Sequence, residues 1–303
     1  MSPTKTILIT GCSAHGIGSA LALALAQKGH HVFATARHPS KIPVSLSALP
    51  NVTPLQLDVT STTSASEAAK AVEDHGAGLD ILVNNAGSGY TMPLLDADLE
   101  TAQQVYETNV WGAVRIVQAF SDLLIERQGR VVNVCSADAV MNAPWVGIYN
   151  SSKSALASLS ETLRLELAPL GVTVATLMVG VVLTSFHGNE PEFNLPGPSR
   201  YFAIKDIIAR WAAGMAGPNG CSIGTFAELI VHDVLGNEHS RGAVLWRGPG
   251  CLVVRIVSAV VPRWMSVSSY PGHINCSYCC LEAVADDVVI RIGWYVMDMG
   301  WMR

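Results

Sequence analysis

ILITGCSAHGIGSALALAL, residues 7–25, joins a short apolar run, a turn spaced by Gly11, Gly16 and Gly18, and an alanine- and leucine-rich helix. A strand, a glycine turn and a helix start, in that order, make the setting that a phosphate-binding turn requires. Glycines let the backbone approach a pyrophosphate and take up positive φ, while the helix N-terminus offers free N–H groups and partial positive charge. The spacing is not the G-x-G-x-x-G of one dinucleotide fingerprint, so the turn alone leaves a bare structural corner open.

Working outward, β-branched apolar runs recur at 5–10, 31–36, 52–59, 79–85, 130–136 and 172–179. Helical periods separate them near 17–28, 63–75, 99–127 and 149–168. Apolar strands alternating with helices predict a parallel sheet covered on both faces, an α/β doubly wound Rossmann fold. After Thr184 the rhythm breaks into FHGNEPEFNLPGPSRYF (186–202), which reads as a lid extending over about 185–215. Helical character returns at 204–215 and 222–235, and a last strand-like run spans 242–248. The expected organisation is one domain over 1–250, then an apolar segment and a divergent tail over 251–303.

Composition narrows the function classes. Of 303 residues, 50% are hydrophobic and 14% charged, enough apolar material for a sizeable core. The formal net charge of -5, with no long basic run, argues against a nucleic-acid partner. Seven scattered cysteines do not form a disulfide framework and fit a reducing compartment. With no signal-peptide core and no apolar run long enough to span a bilayer, a soluble, cytoplasmic protein is expected.

Several places along the chain complete a nucleotide site around the turn. Asp58, in LDVT, offers a carboxylate to an adenine amino group. NNAG (84–87) ends the fourth strand with small residues that suit backbone contact with a ribose. Just past the second strand comes Arg37, where an acidic residue would favour NAD and an arginine accommodates a 2′-phosphate. His15 could lie beside the same phosphate.

The segment SADAVMNAPWVGIYNSSK (136–153) supplies the chemistry. Tyr149 and Lys153, four apart, share a face if a helix begins near Tyr149. An ammonium beside a phenol favours the phenolate. Lowering a phenol from about 10 to about 7 takes roughly 4 kcal/mol, which one charge at about 4 Å supplies at an effective dielectric near 20. On that reading Lys153 makes Tyr149 a proton donor and acceptor near neutrality. Ser136, at the end of the fifth strand, could orient a carbonyl oxygen against it. A Tyr-x-x-x-Lys pair alone is a common accident of helix surfaces; the serine, the glycine turn and NNAG together argue otherwise.

These motifs, TGCSAHGIG, NNAG, TNVWG with Asn109, and the Ser136–Tyr149–Lys153 set, resemble the short-chain dehydrogenase/reductase family over about residues 5–250. The resemblance implies that Tyr149 protonates a carbonyl oxygen positioned by Ser136. Lys153 would bind the nicotinamide ribose and tune Tyr149, and Asn109 would hold a water in the proton relay. It also implies an NADP(H) site formed by Gly11, Ser13, His15, Gly16, Ile17, Gly18, Arg37, Asp58, Val59, Asn85, Ala86, Gly87, Tyr149, Lys153, Val182 and Thr184. The TAR triplet and TGCS turn look most like fungal NADPH-dependent 1-acyldihydroxyacetone phosphate reductases and related ketoreductases. Two departures stand out: four residues rather than three separate Gly11 from Gly16, and Val179-Gly180 replaces the family's Pro-Gly.

The expected activity is therefore reduction of a hydrophobic ketone, either a lipid precursor such as an acyl-dihydroxyacetone phosphate or a polyketide-type intermediate of secondary metabolism. Alcohol oxidation and non-catalytic NADPH binding are the alternatives. Met141, Trp145, Phe186 and Phe193 are candidate substrate contacts, whereas Trp111 and Trp211 read as core or interface. His187 is either polar lining of the lid or a solvated loop histidine. HINCSYCC (273–280) does not pair its ligands as a zinc site would, so no metal is expected. CLVVRIVSAVV (251–261) reads either as a contact with a membrane or lipid-droplet surface or as a helix packed on the sheet or a second subunit. The family's habit of pairing its long helices implies a homo-oligomer.

Overall fold

A computed structural model describes residues 3–215, 220–236 and 244–260. Its strands are β1 (Thr6–Ile9), β2 (His31–Ala36), β3 (Val52–Gln56), β4 (Ile81–Asn84), β5 (Arg130–Val134), β6 (Thr173–Val179), β7 (Val182–Leu183), β8 (Cys221–Ser222) and β9 (Val244–Arg247). Seven of them form a sheet in the order β3-β2-β1-β4-β5-β6-β9, every neighbouring pair parallel. The order reverses between β1 and β4, and such a reversal opens a ligand crevice at the carboxyl edge of the sheet. The short strands β7 and β8 pair separately beside this edge.

The helices are α1 (Ile17–Gln27), α2 (Val44–Ser47), α3 (Thr62–Asp74), α4 (Leu99–Tyr106), α5 (Gly112–Ala119), α6 (Ser121–Glu126), α7 (Gly147–Leu167), α8 (Lys205–Ala212), α9 (Ile223–Leu235) and α10 (Cys251–Val260). Strand side chains alternate between faces, and two cores result. Ile7 and Ile9 pack with Leu21, Leu25, Phe226 and Ile230 on one face. Leu8 and Leu82 pack with Ile116, Phe120 and Leu124 on the other. The doubly wound α/β sheet expected from the sequence is the fold observed.

The long helix expected over 99–127 is not continuous. A π-helical turn, Glu107–Trp111, separates α4 from α5, and a further break at Phe120 starts α6. At the joint Gly112 has no room for a side chain, because a Cβ there would lie 2.9 Å from Val59 Cγ2. The apolar segment after β9 is helical as α10, anchored by buried Cys251, with Leu252, Ile256 and Val260 exposed in a row. No described helix is long and apolar enough to cross a membrane. The cysteine-rich stretch 273–280 and the tail 267–303 lie outside the described residues.

Candidate active site

The glycine turn is built for close approach. Gly11 has φ +73°, and a Cβ on it would lie 2.9 Å from Ala86 Cα. A Cβ on Gly18 would fall 2.5 Å from Asn85 Nδ2 and 2.6 Å from the Gly11 carbonyl. Gly16 is the N-cap of α1, and no side chain caps that helix, so its first N–H groups stay available to an anion, with Ser13 and Ile17 on either side. The extra residue of the turn, His15, takes the left-handed conformation at φ +60° and is exposed.

Backbone bonds fasten this turn to its neighbours. Cys12 N–H donates to Thr35 O at 2.8 Å, and Ala14 N–H donates to Lys41 O at 3.0 Å. The turn is thereby tied to the segment that carries Arg37. Arg37 is exposed just beyond β2 and makes no ion pair among the described residues. On the other side Thr10 Oγ1 accepts from the Asn85 and Ala86 N–H groups, both at 2.9 Å. Asn85 Nδ2 donates to the carbonyls of Thr10 at 2.8 Å and Gly11 at 3.1 Å. NNAG and the glycine turn are thus one structure, built across β1 and β4. Asp58 Oδ1 accepts from the amide and hydroxyl of Thr60, which orients the carboxylate. The neighbouring Val59 is buried and its carbonyl accepts from Arg115, so that strand end is fixed. Val182 packs on the core in β7, and Thr184 Oγ1 accepts the Phe186 amide at 3.1 Å.

The residues expected to carry the chemistry meet at the ends of β4 and β5. Ser136 caps a short 3₁₀ turn, Ala137–Ala139, and accepts the Asp138 amide at 3.1 Å. Tyr149 and Lys153 lie on one face of α7. Lys153 is buried, donates from Nζ to Val134 O at 3.0 Å and sits 5.9 Å from the Tyr149 ring centroid. Asn109 lies in the π turn and is buried. Its Oδ1 accepts the Ser88 amide at 2.8 Å, and its Nδ2 donates to Ser88 O at 2.9 Å and Ser152 Oγ at 3.0 Å. A Cβ on Gly87 would lie 3.3 Å from Asn109 Oδ1 and 3.5 Å from Lys153 Nζ.

The chain's own groups shift the Tyr149 phenol upward, opposite to the direction expected from Lys153 alone. Burial pushes its phenol above the ordinary range and the charge of Asp138 adds to this; the Ser136 hydroxyl offsets only part. Lys153 Nζ donates to Val134 O, and burial pushes Lys153 itself down. The chain's own groups therefore hold Tyr149 as a neutral phenol, a proton donor. Burial likewise raises Asp138. No signal in the sequence marked Asp138, since its approach to Tyr149 depends on the 3₁₀ turn that follows Ser136.

The segment expected to form a lid contacts these groups. Phe186 packs edge-on against Tyr149 with ring centroids 5.5 Å apart. His187 Nδ1 lies 2.7 Å from Glu190 Oε1 while its ring stays partly exposed. Phe193 joins Tyr90, Met92 and Leu195 in a small apolar cluster. Trp145, at φ +66°, meets Trp211 with ring centroids 5.8 Å apart. Trp211 is partly buried against Trp145. Trp111 is half exposed, which excludes the core. No cluster of metal-ligating side chains occurs among the described residues.

Comparison with known proteins agrees with this arrangement. The short chain dehydrogenase family model matches residues 5–194. The short-chain dehydrogenase ptmH of Penicillium ochrochloron is 44% identical over 262 residues, 86% of this chain and 94% of the relative. The NADPH-dependent 1-acyldihydroxyacetone phosphate reductase of Schizosaccharomyces pombe is 38% identical over 213 residues, 69% of this chain and 71% of the relative. An alcohol dehydrogenase of Thermococcus sibiricus, solved with 5-hydroxy-NADP, superposes with a TM-score of 0.66 at 27% identity, over 81% of this chain and 97% of that one. The chain belongs to the short-chain dehydrogenase family.

Proposed function

We propose that the protein is an NADPH-dependent carbonyl reductase acting on a hydrophobic ketone. The observation that carries this reading is the convergence of Ser136, Tyr149, Lys153 and Asn109 beside a glycine turn with no room for side chains at Gly11 and Gly18. NADP(H) fits the donor set. The pyrophosphate would lie on the uncapped start of α1, along Ser13, Gly16, Ile17 and Gly18, and the adenine amino group would meet Asp58 and Val59. The ribose would face Asn85, Ala86, Gly87, Tyr149 and Lys153, and the carboxamide would face Val182 and Thr184. Arg37 and His15 are the cations suited to the 2′-phosphate. Bound NADPH supplies a hydride.

The chain's residues supply the rest. Ser136 Oγ orients the carbonyl oxygen, and Tyr149 gives up its phenolic proton to it. Asn109, locked by Ser88 and Ser152, would hold a water toward Lys153. Phe186 and Trp145 exclude water from the substrate side. Substrate-dependent NADPH oxidation that persists unchanged in Tyr149→Phe would refute this mechanism. For partners, the exposed Leu99 and Trp111 beside α4, with Leu165 on α7, give a second copy an apolar face. The row Leu252, Ile256 and Val260 on α10 suits a peripheral lipid surface, to be tested by vesicle flotation of the wild type against Ile256→Ser.

A further inference from the structure

The lid carries a carboxylate into the mouth of the site. The Glu190 side chain is almost wholly buried; Oε1 lies 2.7 Å from His187 Nδ1, and Oε2 accepts from Thr91 Oγ1 at 2.9 Å. A Cβ on Gly89 would fall 2.5 Å from Oε1, so the absence of a side chain there makes the space Glu190 fills. A second carboxylate, Asp138, is hydrogen-bonded by the Ser136 side chain. The charges of both bear on the Tyr149 phenol, and that of His187 bears on Asp138. Among the described residues neither carboxylate pairs with a lysine or arginine, and Lys153 is committed to Val134 O. Of the cations of segment 185–215, Lys205 sits over the Phe202 ring, 5.9 Å from its centroid, and Arg200 and Arg210 are exposed to solvent.

Resting on the carbonyl-reductase reading, we infer that the substrate is a ketone bearing no phosphate or other anion next to its carbonyl. A neutral ketone with an apolar flank is accepted, and an acyl-dihydroxyacetone phosphate is rejected. In the latter the phosphorus stands three bonds from the carbonyl carbon. Once Ser136 and Tyr149 hold the carbonyl oxygen, the phosphate dianion is brought toward the carboxylates of Asp138 and Glu190. Like charges brought close together repel, and the imidazole of His187 is already engaged by Glu190. The aromatic cover from Phe186 and the Trp145–Trp211 pair offers apolar contact and no replacement for phosphate hydration.

The test uses the full chain with NADPH and one matched pair, palmitoyl-dihydroxyacetone and its phosphate. The neutral member should show kcat/KM higher by about tenfold or more, and Glu190→Gln should narrow the gap. An equal rate or a preference for the phosphate overturns the inference. Calorimetric binding of the same pair to the NADP⁺-loaded protein separates the two readings. If the neutral member binds at least tenfold tighter yet neither is reduced, the charge selection stands and the carbonyl-reductase reading fails. If the neutral member neither binds nor reacts, the inference falls.

Discussion

The Ser185 amide donates to the carbonyl of His15 over 3.1 Å, so the lid begins fastened to the extra residue of the glycine turn. His15 holds a left-handed backbone, which L side chains other than asparagine and aspartate adopt at a cost. His15→Gly should leave folding stability unchanged or raise it, and His15→Val should lower it by about 1–2 kcal/mol. Thermal unfolding of both variants reads this directly. His15→Ala should weaken NADPH more than NADH; equal weakening would mean that the imidazole only shapes the turn.

Arg37 is the nearer test of cofactor choice. It makes no ion pair among the described residues and stands on the segment tied to the turn through Lys41 and Ala14. Losing a charge-assisted bond of roughly 1.5–3 kcal/mol should weaken NADPH binding by about tenfold or more in Arg37→Ala. NADH affinity should hardly change. Fluorescence titration with both nucleotides gives the ratio.

Gly18 is where sterics decide. Gly18→Ala would place a methyl group 2.5 Å from Asn85 Nδ2 and 2.6 Å from the Gly11 carbonyl, and the latter is backbone that cannot rotate away. Overpacking of this kind costs about 1–3 kcal/mol. The shift should also part the turn from NNAG, so nucleotide affinity should fall together with the melting temperature.

The raised phenol of Tyr149 has a pH signature. A group held protonated across the neutral range donates its proton at any pH below its own, so reduction should be flat in pH through neutrality on account of this residue. Alcohol oxidation needs the phenolate and should rise with pH. The Asp138 charge opposes that phenolate, so Asp138→Asn should move the alkaline rise of the oxidation profile to lower pH. A profile that stays put would show that burial alone sets the phenol.

The sheet was legible because each strand is a short apolar run bounded by glycine or asparagine, and the spacing of Tyr149 and Lys153 survives any small error in helix ends. Periodicity could not reveal the π turn at Glu107–Trp111, since one residue inserted into a helical ladder barely alters a 3.6-residue pattern. That turn nevertheless sets where Asn109 points. Nor could spacing reveal the bond between Thr91 and Glu190, which are 99 residues apart, or the meeting of Trp145 with Trp211. Spacing likewise could not reveal that the Lys153 ammonium bonds the carbonyl at the end of β5.

The lid is held at several points by the chain's own groups: His15 with Ser185, Tyr149 with Phe186, Thr91 with Glu190. These contacts lie within six residues of one another along the lid, 185–190, yet reach three separate parts of the body. A segment so attached is expected to open with these contacts parting together, as one barrier rather than a progressive peel. Throughput would then be paced by the hinge and not by bond making. Added viscogen should slow turnover, and deuteride in place of hydride should leave it almost unchanged.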